Sequence, residues 1–148
     1  MSCVLRASGT EFDVDAFLRN SDLRPLIVHR RGTPRFASTS PTNCPEARSG
    51  MNLSVSTREF SDLTGQIEDA IAFLSNNDKE LRRLRGFPGV EGLLLDFPVE
   101  DRDVAAQCDT FPAQLLLILG NLNIDLAISR YPAPEGTGPV VGSFDRPV

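Results

Sequence analysis

The stretch FPAQLLLILGNLNIDLAISRYP, residues 111–132, holds a helix that hands over directly to a strand. Leu115, Leu116 and Leu119 form an apolar run behind Thr110 as cap and Pro112 in the first turn, and Gly120 marks the expected end. Ile124, Leu126 and Ile128 then alternate with Asp125, Ala127 and Ser129, the period-two pattern of a strand with one wet face. Upstream, Val90–Val99 reads as a strand with Leu93, Leu95 and Phe97 on one face and Leu94 on the other. A strand apolar on both faces belongs inside a sheet rather than at its edge.

Further toward the N-terminus, Ser61 or Asp62 caps a helix that carries Leu63, Ile67, Ala70, Ile71 and Leu74 at helical spacing. The break at 75–78 and the continuing stripe of Leu81 and Leu84, closed by Gly86 and Pro88, predict one kinked helix or two abutting ones. Met51, Leu53, Val55 and Thr57 alternate with Asn52, Ser54 and Ser56 as a strand. Residues 32–49, with Pro34, Pro41 and Pro45, read as a long loop. Leu26–Arg31 reads as a strand. Asp13 or Asp15 caps a short helix with Val14, Phe17 and Leu18, and residues 2–8 form a first strand closed by Gly9-Thr10.

The order is therefore β-α-β-β-α-β-α-β, an α+β class. Its first six elements follow the ferredoxin-like order, a mostly antiparallel sheet with helices on one face, and the last two extend it. Residues 1–131 make a single domain. Residues 132–148 read as a tail, in which Val140–Phe144 is a candidate short edge strand. The expected core places Leu93, Leu95, Phe97, Ile124, Leu126 and Ile128 against Ile67, Ile71, Leu74 and Leu115.

Length and composition narrow the function classes. A chain of 148 residues can bury a core without staples. Its net charge of −5 argues against general nucleic-acid binding, which draws on excess Lys and Arg. Of the 15 basic residues all but Lys79 are arginine. Cys3, Cys44 and Cys108 have neither the even count of a disulfide framework nor zinc-site spacing, which fits reduced thiols in the cytoplasm. No apolar run reaches the length of a membrane span, and the first residues lack the pattern of a signal peptide.

The chain also resembles a bacterial family known as domain of unknown function 4279, over roughly residues 3–132. The segment after the family's N-terminal strand is matched by FDVDAFLRNSDLRP, its Gly-containing loop by RRGTP, and its long amphipathic helix by LTGQIEDAIAFLSNNDKELRRL. The pattern ends in LLLILGNLNIDLAISRYP, a helix that passes through a small-polar turn into a strand closed by Tyr131. Members often carry a tryptophan near the third strand, which this chain lacks. The resemblance implies no activity and carries over no catalytic residue.

Motifs for chemistry are sparse. His29 is the sole imidazole, and no nucleophile motif accompanies it. The acids of VEDRDVAAQCD do not have EF-hand spacing, so no metal site is expected. The glycines of GFPGVEG lie between a helix and a strand, the reverse of a dinucleotide fingerprint, and no cofactor is implied. Arg82, Arg83 and Arg85 sit where cations meet the negative end of a helix dipole.

The sequence thus points to a non-enzymatic cytoplasmic binding protein with no catalytic residues. Its most specific form is an acidic inhibitor or immunity protein acting on a basic enzyme or toxin. Two carboxylate surfaces would meet such a partner: Glu100, Asp101, Asp103 and Asp109, and Glu59, Asp62, Glu68 and Asp69. The alternative is a small-ligand sensor or an uncharacterised enzyme, with a pocket formed by His29, Arg30, Arg31 and the 32–49 loop. A third class is a homo-oligomer joined through an edge strand.

Overall fold

A computed structural model describes residues 2–34 and 45–133. Cys44, the middle of the 32–49 loop and the candidate strand Val140–Phe144 lie outside the described residues. The elements are β1 (Val4–Gly9), α1 (Val14–Leu18), β2 (Ile27–His29), β3 (Ser49–Ser54), α2 (Leu63–Asn76), α3 (Asp78–Arg85), β4 (Gly92–Glu100), α4 (Ala113–Leu122) and β5 (Asp125–Tyr131). The expected α+β class holds.

The strands form one sheet in the order β2-β3-β1-β4-β5. β1 lies antiparallel between β3 and β4, and β2 pairs antiparallel with β3. This is the ferredoxin-like arrangement, to which β5 adds a strand parallel to β4. A parallel neighbour needs a crossover, and α4 supplies it.

Strand alternation decides the two faces. Leu5 pairs with Leu53 and Leu95, and Ala7 with Met51 and Leu93, so these side chains share one face. They are buried in one cluster with Phe97 and the inward residues of all four helices: Phe17, Leu74, Leu81, Leu84, Leu115 and Leu119 among them. The helices therefore cover that face. The other face carries Val4, Arg6 and Ser8 of β1 and their cross-strand partners.

Local chemistry explains most element ends. The Asp13 carboxylate accepts the Ala16 N–H at 2.9 Å, and the Asp62 carboxylate accepts the Gly65 N–H at 2.9 Å, so α1 and α2 start at true N-caps. Asn77 ends α2, its amide donating to the Phe73 carbonyl at 2.8 Å, and α3 begins at the next residue. The two-helix alternative is the observed one. Gly89, in the turn ahead of β4, has φ of +88°, and a Cβ there would overlap the Glu11 backbone. Phe12, Phe17 and Phe87 pack edge to face and close α1 onto that turn.

Arg83 joins two helices rather than merely ending one. Its guanidinium lies 4.1 Å from the centre of the Phe17 ring, and Nη2 donates to the Phe17 and Asn20 carbonyls at 3.2 and 3.1 Å. Glu80 holds the other side at 2.7 Å, and that pairing keeps the Glu80 carboxyl below its ordinary pKa.

Three expectations need correction. Thr110 does not cap α4: Pro112 is the N-cap, without a side-chain bond. The helix also runs past Gly120 to Leu122, where Asn123 closes it in the left-handed conformation at φ 52°. An asparagine tolerates that conformation, so no glycine is required. Ile128, expected in the core, is 44% exposed, because β5 is an edge strand and α4 does not cover its middle.

Leu95 is fully buried on an interior strand. Leu95→Ala should lower unfolding stability by about 2–5 kcal/mol, read from urea denaturation, through lost transfer energy and a cavity.

Candidate functional site

The uncovered face of the sheet carries a groove that follows from the strand register. His29, Gly50, Ser8 and Gly92 stand in one row across β2, β3, β1 and β4. The next row holds Ile27, Asn52, Arg6, Leu94 and Asp125. Gly92 leaves the β4 end of the first row without a side chain, and the surface is open there, whereas Gly50 lies buried beneath the His29 ring. The second row forms one wall, while Thr33, Pro34 and Glu46–Arg48 of the β2–β3 connection form the other. The hollow has a volume of about 690 Å³, within the range of small-ligand sites. From β2 to β5 the second row spans four strand spacings, about 19 Å.

The glycines play different parts. A Cβ on Gly50 would overlap the Ala7 carbonyl and lie 2.7 Å from His29 Nε2, so the imidazole lies over this bare backbone. A Cβ on Gly92 would meet nothing within 4 Å and would project into open space. His29, Ser8, Asn52 and Asp125 make no side-chain hydrogen bond among the described residues, which leaves their polar groups available to a ligand.

Two guanidinium groups at this site are held by carboxylates. Arg6 donates through Nη2 to Asp96 at 2.7 Å, and the second oxygen of Asp96 accepts the Ser129 hydroxyl at 2.7 Å. Arg48 pairs through Nη2 with Glu91, whose other oxygen accepts the Thr10 N–H at 2.8 Å. That backbone bond, helped by Arg48, holds the Glu91 carboxyl below its usual pKa. Each arginine is positioned through one nitrogen while its remaining donors stay uncommitted among the described residues.

The groove brings together only part of the expected pocket. His29 lines it, but Arg30 and Arg31 turn away. Arg30 forms a two-point pair with Asp15 at 2.8 and 2.7 Å, and Arg31 reaches Glu11 at 2.7 Å. The first pair lowers the Asp15 pKa and raises that of Arg30. Arg6, Ser8, Arg48, Asn52 and Gly92 take their places. The alternation of residues 4–8 and 50–54 marks wet strand faces, but only the cross-strand register shows that they converge.

The acidic candidates come together elsewhere. Asp62, Glu100 and Asp109 border a second hollow, of about 360 Å³, at the start of α2. Many of these acids are already answered by arginine. Asp109, with a side chain only 9% exposed, accepts from Arg102 at 3.3 Å, Arg130 at 3.2 Å and Gln107 at 3.1 Å. Asp101 pairs with Arg130 at 3.2 Å, Asp62 with Arg58 at 3.6 Å, and Asp69 with Ser56 at 2.7 Å and Arg58 at 3.4 Å. Glu59, Glu68 and Asp103 are exposed and make no side-chain bond among the described residues. Glu100, at the end of β4, is partly buried, and its carbonyl accepts from Gln107.

Ser8 and His29 flank Gly50, but among the described residues no carboxylate bonds the imidazole to orient it as a base. Groups of three metal-ligating side chains are absent among the described residues. No helix among them is long and apolar enough to cross a membrane. No family model matches the chain, and neither a curated protein nor a solved structure matches it.

The two glycines predict opposite responses. Gly50→Ala should destabilise the fold by about 1–3 kcal/mol and displace His29, seen as a changed imidazole NMR signal. Gly92→Ala should leave stability within about 0.5 kcal/mol and the His29 signal in place.

Proposed function

We propose that the chain is a non-enzymatic ligand-binding protein whose site is the groove on the uncovered sheet face. The observation that carries this reading is the hollow beside Gly92, where Ser8, His29, Asn52 and Asp125, without side-chain bonds of their own among the described residues, meet two arginines each held through one nitrogen. Arg6, Arg48, Asn52 and Ser8 offer donors, Asp125 offers a carboxylate, and Ile27 and Leu94 offer apolar contact. Both signs of charge line the site, so neither a simple anion nor a simple cation is complemented throughout. The ligand class is a small zwitterion of the amino-acid or short-peptide kind. Its carboxylate would meet the arginines and its ammonium group the Asp125 end.

A cytoplasmic, bacterial setting is part of the same proposal. It is supported by the free thiols of Cys3 and Cys108 and by the resemblance to domain of unknown function 4279. The acidic-inhibitor reading has less behind it, because arginine already neutralises Asp62, Asp69, Asp101 and Asp109.

A thermal-shift screen of amino acids and dipeptides, against simple carboxylates, amines and inorganic phosphate, tests the reading. A zwitterion at 100 times its dissociation constant stabilises the fold by about 2.7 kcal/mol, a Tm rise on the order of 5–10 °C. Gly92→Val, which projects into the groove without meeting another atom within 4 Å at its Cβ, should reduce the rise. Arg48→Ala should weaken it. The absence of any saturable shift, or a shift undiminished by Gly92→Val, would reject the groove as the site. Recovery of a basic protein partner, released by salt and by neutralising Glu59, Glu68 and Asp103, would favour the inhibitor reading instead.

A further inference from the structure

β5 is a seven-residue edge strand whose register with β4 runs unbroken from Asp125 to Tyr131. Among the described residues only one side of it is paired, so alternate backbone N–H and C=O groups face outward. Exposed edges of this length are usually blunted by lysine, proline, a bulge or an outward charge. β5 has none of the first three. Its one basic side chain, Arg130, is drawn to Asp101 and Asp109 at 3.2 Å each. The opposite edge differs, because β2 has three residues and follows Pro25 closely.

Exposed apolar side chains occur on both β5 and α4. Ile128 is 44% exposed on the helix-covered face of β5, and Leu116 and Leu117 of α4 are 47% and 65% exposed. α4 packs on α2 and α3 through its other flank, where Arg82 reaches the Asn121 carbonyl. At 100° per residue, Leu116 then projects away from those helices. α4 is the crossover to β5, so this flank lies toward the β5 edge.

The sequence of β5 is complementary to itself. Turned about a two-fold axis through Ile128 and perpendicular to the sheet, two copies of β5 pair antiparallel with their faces matched. Ile128 then meets Ile128 of the second copy, Leu126 lies opposite the aliphatic stem of Arg130, and Ala127 lies opposite Ser129. Asp125 lies opposite Tyr131, whose ring packs on Phe60 of its own chain and leaves the carboxylate free for the groove. We infer that this edge is the interface of a two-fold homodimer, in which the β5 strands join two sheets into one of ten strands about an Ile128 pair, with Leu116 of α4 on the flank toward it. Closed two-fold pairing is the commonest oligomeric arrangement and satisfies the edge without leaving a template for further growth.

Sedimentation equilibrium of the full chain over a range of concentrations tests the interface. The wild type should be a dimer. Ile128→Asp should raise the dissociation constant about 10-fold or more while leaving the circular dichroism spectrum unchanged. Ile128→Cys should cross-link on mild oxidation, because the axis places the two thiols together, whereas the wild type with its three native cysteines should not. A monomer at every concentration would overturn the proposal, whether the edge is left open or covered by the chain's own residues 134–148. A folded Ile128→Asp dimer as tight as the wild type, or a dimer in which Ile128→Cys stays uncross-linked, would also overturn it.

Discussion

Everything in this fold depends on β1 being hydrogen-bonded on both sides, to β3 and to β4. Double pairing removes the freedom to slip, because a shift of one residue would turn Leu5 and Ala7 out of the core and drive Arg6 and Ser8 into it. Once β1 is fixed, its odd residues build the core with Leu53, Met51, Leu93 and Leu95. Its even residues then build the second surface. The groove is therefore not an addition to the scaffold. It is the reverse side of the contacts that stabilise the scaffold, and it runs across three strands that are each paired on both sides.

Charge is spent mostly on local order. The chain carries a net charge of −5, yet many of its acids are matched by arginine: Asp15 by Arg30, Asp78 by Arg82, Glu80 by Arg83, Asp109 by Arg102 and Arg130. Planar guanidinium groups suit this role, since they meet carboxylates at two points or span two acids at once. Exposed pairs of this kind contribute about 0–1 kcal/mol each, so their main effect is to direct side chains rather than to stabilise the fold. Arg6 and Arg48 fit the same pattern, except that their free donors border a hollow.

Much of the architecture is legible from spacing. The caps at Asp13 and Asp62, the break near Asn77 and the alternation of β1, β3 and β4 all depend on residues close in sequence, whose patterns report local geometry directly. The misreadings share a different cause. Gly120 looked like a helix end, but Asn123 serves because the left-handed conformation can be filled by asparagine. Ile128 looked like core, because alternation identifies a face without saying whether a helix covers it. Arg30 and Arg31 looked like pocket residues by proximity to His29, yet their partners Asp15 and Glu11 lie far away in sequence. The groove itself was only half legible. His29 and the β2–β3 connection stood out, whereas Arg6, Asn52 and Gly92 become neighbours only through the register of four strands.

The account requires the groove floor to be preformed, held by a central strand that does not open by itself. Native-state hydrogen exchange of the β1 amides measures this most directly. The account predicts that the amides of Leu5, Arg6, Ala7 and Ser8 exchange only by global unfolding, with an opening free energy equal to that from urea denaturation. Exchange of these amides through a lower-energy local opening, faster than that of the α2 core turn, would contradict it, because the floor would then not be a standing surface.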